Sequence, residues 1–198
     1  TYYCKSQPLT TKKTSQHTVS ELIIDGMKFI KIGKIGSGST GDVYKVQSLD
    51  KLIYYACKVT KFKKENDIEN FDREVEFSMK ASDLGISPKV YLVSIDIYKN
   101  EGYMISELCD GSVEAVLNKL SSSAVQFCIQ KMLKCITTAF DNNMYCIDTN
   151  CSNFVYKEGT IKMIDFSGRW CYFDSFVLGN KKYFAGNISL DQYKHLLD

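Results

Sequence analysis

The sequence of 198 residues predicts an α+β chain in two parts. Three observations carry that expectation. Strand-length runs of β-branched and aromatic residues dominate residues 21–108, with one helical stretch among them. A short polar break, Cys109-Asp110-Gly111-Ser112, follows. Beyond it the apolar spacing changes from a period near two to a helical one. The expected division is a flexible lead-in over 1–20, an antiparallel five-stranded first lobe with one helix over 21–108, and a reduced, mainly helical second lobe over 109–198.

Residues 1–20 are polar and rich in Thr, Ser and Lys, and read as a lead-in or a strand-edge extension. Leu22-Ile23-Ile24 and residues 29–35 are strand-like, parted by Asp25-Gly26. Next comes Gly36-Ser37-Gly38-Ser39-Thr40-Gly41-Asp42-Val43, a G-x-G-x-x-G-x-V pattern. Followed by a helix, such a run suits a dinucleotide; followed by a strand, it suits a hairpin over phosphates. Here Val43-Tyr44-Lys45-Val46-Gln47 continues as a strand. The glycines let the backbone lie close over phosphates, or simply form a tight hairpin with no ligand.

Residues 53–59 form the next strand, with Lys58 among apolar neighbours. A buried ammonium needs a partner; a solvated strand face is the other reading. Residues 66–84 carry a helical stripe of Ile68, Phe71, Val75, Met79 and Leu84, ended by Gly85 and Pro88. Glu74 and Glu76 both lie in it, and Glu74, beside the stripe, is the expected partner of Lys58. Residues 90–97 and 102–108 follow as two more strands of the expected five-stranded sheet. Two helices, 113–120 and about 123–142, are expected after the break. The second has an apolar face of Val125, Cys128, Ile129, Met132, Ile136, Ala139 and Phe140.

The most informative stretch is 145–167, YCIDTNCSNFVYKEGTIKMIDFS. Residues 154–157 and 160–164 flank Glu158-Gly159 and read as a hairpin. Asp148 and Asn153 precede it and Asp165 follows it. An acid, an amide and a second acid at one hairpin mouth suit a base plus oxygen ligands for a hard cation such as Mg²⁺. The plainer reading is an ordinary Asp-Thr-Asn turn and a strand-ending Asp.

Composition narrows the classes. Net charge is +2 and gives no polyelectrolyte signature, so nucleic acid is not an expected partner. No apolar run reaches the roughly 18–20 residues of a membrane span, and the polar start carries no signal-peptide pattern. The sequence does not begin with Met, so a fragment is expected. Eight Cys form no C-x-x-C pair and read as free thiols of a reducing, intracellular compartment. His17 and His195 stand near the ends, which argues against a zinc site or a His-based triad.

Taken in order, these features resemble the protein kinase family over about residues 29–168. Residues 36–43 resemble its glycine loop, and Tyr55-Ala56-Cys57-Lys58 resembles V-A-I-K. Asp148-Thr149-Asn150-Cys151-Ser152-Asn153 keeps the D-x-x-x-x-N spacing of the catalytic loop, and Ile164-Asp165-Phe166-Ser167 resembles the D-F-G region. The resemblance implies a two-lobed protein kinase-like fold that uses ATP and Mg²⁺. It implies that Lys58 holds the α- and β-phosphates and that Glu74 orients Lys58. Asp148 would accept the proton of the attacking hydroxyl, and Asn153 and Asp165 would hold the metal. Gly36, Ser37, Gly38, Ser39, Thr40, Gly41, Val43 and Ala56 would surround the nucleotide. Ser106, at the gatekeeper position, implies an accessible pocket behind the adenine, which backbone groups of Glu107 and Cys109 would meet.

Departures from the family pattern are equally specific. Cys146-Ile147-Asp148 replaces H-R-D, Asn150 stands where the family commonly has Lys, and Ser167 replaces the D-F-G glycine. The chain ends soon after Asp165, with no A-P-E motif and one expected helix over 189–197. Such a minimal kinase is similar to short effector kinases that pathogenic bacteria inject into host cells, or to small viral kinases, acting in the host cytoplasm. By that analogy the expected partners are a protein substrate or a host regulatory protein, ubiquitin machinery among the candidates. Three functions follow from the resemblance: a Ser/Thr-type protein kinase stimulated by a partner, a pseudokinase scaffold that keeps nucleotide binding, and a small-molecule kinase of the aminoglycoside type. The last would need a larger second lobe.

Overall fold

The computed structural model describes residues 20–146 and 149–166, together with the backbone of 171–173, 175–178 and 181–184. Residues 1–19 of the expected lead-in over 1–20 and the expected helix over 189–197 lie outside the described residues, while Ser20 already belongs to the first strand.

The first strands are β1 (Ser20–Ile24), β2 (Met27–Ser37), β3 (Gly41–Ser48) and β4 (Tyr54–Lys61). Helix α1 (Asn66–Asp83) follows, then β5 (Val90–Asp96) and β6 (Glu101–Glu107). These strands form one antiparallel sheet in the order β1-β2-β3-β4-β6-β5. The sheet therefore has six strands, one more than expected. The extra one is β1, which pairs in full register with β2 across Asp25-Gly26. Both turn residues have positive φ, 49° and 76°, the geometry that matches hairpin twist.

β1 and β5 are the two edges of this sheet, yet the turn that ends β1 reaches β5: Ser94 Oγ donates to Asp25 Oδ1 at 3.0 Å. The sheet has curled far enough to bring its edges together. Inside the curl lie Leu22, Ile24, Phe29, Val46, Cys57, Val59, Tyr103 and Ile105. Burial of these side chains, at about 25 cal/mol per Å² of apolar surface, is what favours the curl.

Helix α1 ends in a Schellman arrangement. Gly85 has φ 72°, Gly85 N–H donates to Ser82 O and Ile86 N–H donates to Ala81 O. Its buried face is Phe71, Glu74, Phe77, Ser78 and Ala81, which corrects the expected stripe. Met79 is 51% exposed and Ile68 40%. The inward face carries Glu74, an acid, together with Phe71, Phe77 and Ala81, and Met79 lies off that face.

The second part begins with the two-residue strand β7 (Gly111–Ser112), where an unpaired polar break was expected. It continues with α2 (Val113–Leu117) and α3 (Ser122–Asp141). Ser112 and Ser121 cap the two helices by accepting from Ala115 N–H and Ala124 N–H. Helix α2 stops three residues short of the expected 113–120. α3 buries Met132, Cys135, Ile136 and Ala139, while Ile129 of the expected face is exposed. Next come β8 (Met144–Cys146), a 3₁₀ turn over Cys151–Asn153, β9 (Phe154–Lys157) and β10 (Thr160–Met163). β7, β9 and β10 form a small antiparallel sheet, and β8 pairs with β11 (Cys171–Phe173). One core joins Phe77, Ala81 and Ile86, at the end of α1, to Met132, Ile136, Tyr145, Phe154, Met163 and Phe166.

Candidate active site

The register of β3, β4 and β6 assembles the first half of the site. Val43, Lys58 and Met104 are direct cross-strand partners, and so are Ala56 and Ser106. Opposite residues share a face, and alternate residues along a strand return to it. Val43, Ala56, Lys58 and Ser106 therefore lie on one face of the sheet. Cys57 and Val59 point the other way, into the curl.

On that face Lys58 Nζ is bonded to Glu74 Oε1 of α1 and lies 3.4 Å from Asp165 Oδ1. Burial works against the Lys58 charge, but the carboxylates of Glu74 and Asp165 outweigh it and hold its pKa above the ordinary value. Burial pushes the Glu74 carboxyl up, and Lys58 opposes that shift. The charged pair is the form in which neither buried group lacks a partner. Glu74, not Glu76, makes this contact.

Asp165 follows β10 in the left-handed region, φ 62°, which Asp tolerates better than most residues. That turn aims its carboxylate toward Lys58, while the next residue, Phe166, is buried in the second core. Ile164 N–H donates to Asn153 O at 2.8 Å, so the two ends of the β9–β10 hairpin are tied together. Asn153 and Asp165 thus stand at one hairpin mouth. Asn153 is buried, at 9% exposure, and half-exposed Asp165 offers carboxylate oxygens. A carboxylate and an amide oxygen are the donors a hard cation takes. Among the described residues no group of three His, Cys, Asp or Glu side chains forms a closed metal cage. Asp148 and Ser167 lie outside the described residues.

The glycine hairpin is held from within. Gly38 N–H donates to Gly41 O at 2.8 Å. Asp42 accepts from Ser37 Oγ at 2.8 Å and pairs with Lys34 at 2.7 Å, and these contacts lower its pKa. A Cβ on Gly41 would stand 2.2 Å from Val59 O, so the approach of β3 to β4 requires glycine there. Gly36 and Gly38 have no such crowding; an added Cβ meets nothing nearer than 3.5 Å and 3.9 Å. A cavity of about 530 Å³ opens between this hairpin and α1, lined by Gly38, Ser39, Thr40, Gly41 and Glu74 among others. Of the expected nucleotide residues it does not include Gly36, Ser37, Val43, Ala56, Lys58, Ser106, Glu107 or Cys109.

Glu107 ends β6. Its N–H donates to Lys89 O at 2.8 Å, so a backbone contact from Glu107 to adenine has to come from its carbonyl. Its carboxylate pairs with Lys157 Nζ at 2.9 Å and Lys162 Nζ at 2.5 Å. Burial opposes that charge, but the two ammonium groups and the Lys89 N–H lower the pKa to about 2. Sequence reasoning missed Lys157 and Lys162. The legible signal was their placement: Lys162 faces Val155, two residues from Lys157, so both occupy one face of the hairpin. Asn150 Oδ1 accepts from the N–H and hydroxyl of Ser152 and so caps the 3₁₀ turn before Asn153. Cys109 is half-buried, and burial raises its thiol to about 11.

A family model described as protein kinase domain matches residues 29–172. Serine/threonine-protein kinase mph1 of Schizosaccharomyces pombe is 25% identical over 168 residues, 81% of this chain and 24% of that protein. Serine/threonine-protein kinase MPS1 of Saccharomyces cerevisiae is 29% identical over 154 residues, 73% of this chain and 20% of that protein. Probable serine/threonine-protein kinase mps1 of Dictyostelium discoideum is 26% identical over 150 residues, 73% and 15% respectively. The chain spans about a quarter or less of the length of these relatives.

Proposed function

Because the chain belongs to the protein kinase domain family, we propose that it transfers the γ-phosphate of ATP to a serine or threonine hydroxyl of a protein. The observation that carries the reading is the three-way contact of Lys58 with Glu74 and Asp165. It joins the sheet, α1 and the hairpin mouth at one point.

In this reading Lys58 holds the α- and β-phosphates and Glu74 keeps its ammonium charged and fixed. Gly36 and Gly38, which the protein's own packing leaves uncrowded, admit phosphate close to the backbone. Val43 and Ala56 supply the apolar surface on that face, and the small Ser106 side chain leaves room behind the base. Glu107 and Cys109 offer backbone groups to the adenine. Asn153 and Asp165 hold Mg²⁺, which when bound neutralises charge on the phosphates. Asp148 accepts the proton of the attacking hydroxyl.

A second reading has its own observation. Asn150 stands where the family commonly carries a lysine, and its amide is turned onto Ser152. It brings no positive charge to the transferring phosphoryl group, which favours a scaffold that binds nucleotide without turnover. Stimulation by a partner protein in a host cytoplasm is part of the first reading.

One experiment separates the two readings. Purified chain is incubated with labelled ATP and Mg²⁺, alone and with cell lysate, beside an Asp148→Asn variant. Incorporation of label that the variant abolishes supports phosphoryl transfer. Intact ATP binding with no incorporation under either condition supports the scaffold.

A further inference from the structure

We propose that Glu107 is a positioning residue for the metal-binding end of the site, acting through Lys157 and Lys162. This inference rests on the phosphoryl-transfer reading for its consequence, though not for its geometry. The chain passes from the first part to the second through residues 107–112, and that passage is fastened to the β9–β10 hairpin at Glu107 and again over residues 110–112. The Glu107 carboxylate bridges Lys157 of β9 and Lys162 of β10 at 2.9 Å and 2.5 Å. Asp110 N–H donates to Tyr156 O at 2.9 Å, and Asp110 Oδ2 accepts from Glu158 N–H in the hairpin turn at 3.2 Å. Gly111 and Ser112 then pair with Tyr156 and Val155.

The hairpin so fastened is the one that carries Asn153 at its entrance and Asp165 at its exit. Its second strand is also tied to the segment after α1, through Met163 N–H to Ile86 O at 2.7 Å. The sheet presents Lys58 from β4, next to the strand that ends in Glu107. The distance between the phosphate-holding group and the metal ligands is therefore set across the Glu107 junction. Charge-assisted bonds to two cations on adjacent strands resist both sliding and twisting of the hairpin against β6. The Glu107 carboxylate is engaged by the two lysines and, unlike the backbone of the same residue, meets neither the expected nucleotide nor the metal, so its effect is indirect.

The test compares the wild-type chain with Glu107→Gln, Glu107→Lys, and the charge reversal Glu107→Lys/Lys157→Glu/Lys162→Glu. The first readout is amide hydrogen exchange at Met163 and Ile164 without nucleotide. Glu107→Gln is expected to speed it about tenfold, and the reversal to bring it back toward wild type. The second readout is Mg²⁺-dependent ATP affinity, expected to fall about threefold to tenfold in Glu107→Gln and to recover in the reversal. Thermal melts confirm that each variant is folded; one that does not fold is replaced by Lys162→Gln, which removes one of the two contacts. Unchanged exchange overturns the proposal, as does a reversal no better than Glu107→Lys. A gain in metal-dependent affinity or turnover on breaking the pairs also overturns it, since the contact would then be a restraint. If wild-type chain binds no ATP, the phosphoryl-transfer reading fails, while the exchange result still decides whether Glu107 holds the hairpin.

Discussion

Lys58 Nζ lies 3.4 Å from Asp165 Oδ1 while it is bonded to Glu74. Residues from β4, α1 and the end of β10 meet in that one contact. The pair Lys58–Glu74 is also the most buried charged contact of the site, with side chains 13% and 4% exposed. Its removal has distinct consequences depending on which partner goes.

Lys58→Met leaves the Glu74 carboxylate buried without its counter-charge. The expected loss is about 3–5 kcal/mol of stability at neutral pH. Lys58→Met/Glu74→Leu removes both charges and is expected to recover most of that loss. Urea unfolding of the wild-type chain and both variants checks it. A double variant as unstable as the single one would show that the ion pair does not set this cost.

The glycines of the hairpin divide into two kinds. Gly41→Ala places a methyl 2.2 Å from Val59 O and is expected to cost about 1–3 kcal/mol. Gly36→Ala and Gly38→Ala meet nothing nearer than 3.5 Å, and their stability change is expected within about 0.5 kcal/mol. Their ATP affinity is nevertheless expected to fall about tenfold if phosphate lies against this backbone. Thermal melts and nucleotide titration of the three variants measure the two effects separately. Unaltered affinity in both of the uncrowded variants would remove the hairpin from the nucleotide site.

Glu107 gives the protein a defined acid limb. Its folded pKa of about 2 lies below the ordinary 4.5. A depressed carboxyl contributes its stability in full above the unfolded value and loses it as pH falls through the folded one. The contribution is therefore expected to fade between about pH 4.5 and pH 2. Glu107→Gln is expected to be less stable than wild type by about 1–2 kcal/mol at pH 7 and to converge with it near pH 2. Unfolding followed by circular dichroism across that range reads the gap, and a gap of constant size would refute the assignment.

The turn between β1 and β2 is tied to β5 by the bond from Ser94 to Asp25. Ser94→Ala is expected to cost about 0.5–1.5 kcal/mol. It should also speed amide exchange in β1 more than in β3, because β1 has one paired neighbour and β3 has two. Equal acceleration in both strands would mean that the sheet opens as a unit.

Much of this was legible in the sequence because it rests on local rules. Period-two runs placed β2 to β6, and Glu158-Gly159 placed the hairpin turn. Gly85 placed the end of α1. The G-x-G-x-x-G-x-V run and the order of Lys58, Glu74, Asn153 and Asp165 were readable from spacing alone. The sixth strand was undercounted because a short apolar triplet such as Leu22-Ile23-Ile24 gains its pairing only from the neighbour it folds onto.

Orientation, by contrast, came from packing between elements. Apolar spacing assigned α1 a stripe of Ile68, Phe71, Val75, Met79 and Leu84; Phe71 is buried as expected, but Ile68 and Met79 are exposed, because the inward face runs through Phe71, Glu74, Phe77 and Ala81, where Glu74 also meets Lys58. The closing of the sheet on itself depends on how far six strands twist together, and no single strand encodes that angle. The junction of Glu107 with Lys157 and Lys162 joins residues about fifty positions apart, where charge spacing in sequence carries no distance. Residue types and the elements that carry them follow from local rules along the chain; which of those side chains meet depends on three-dimensional packing.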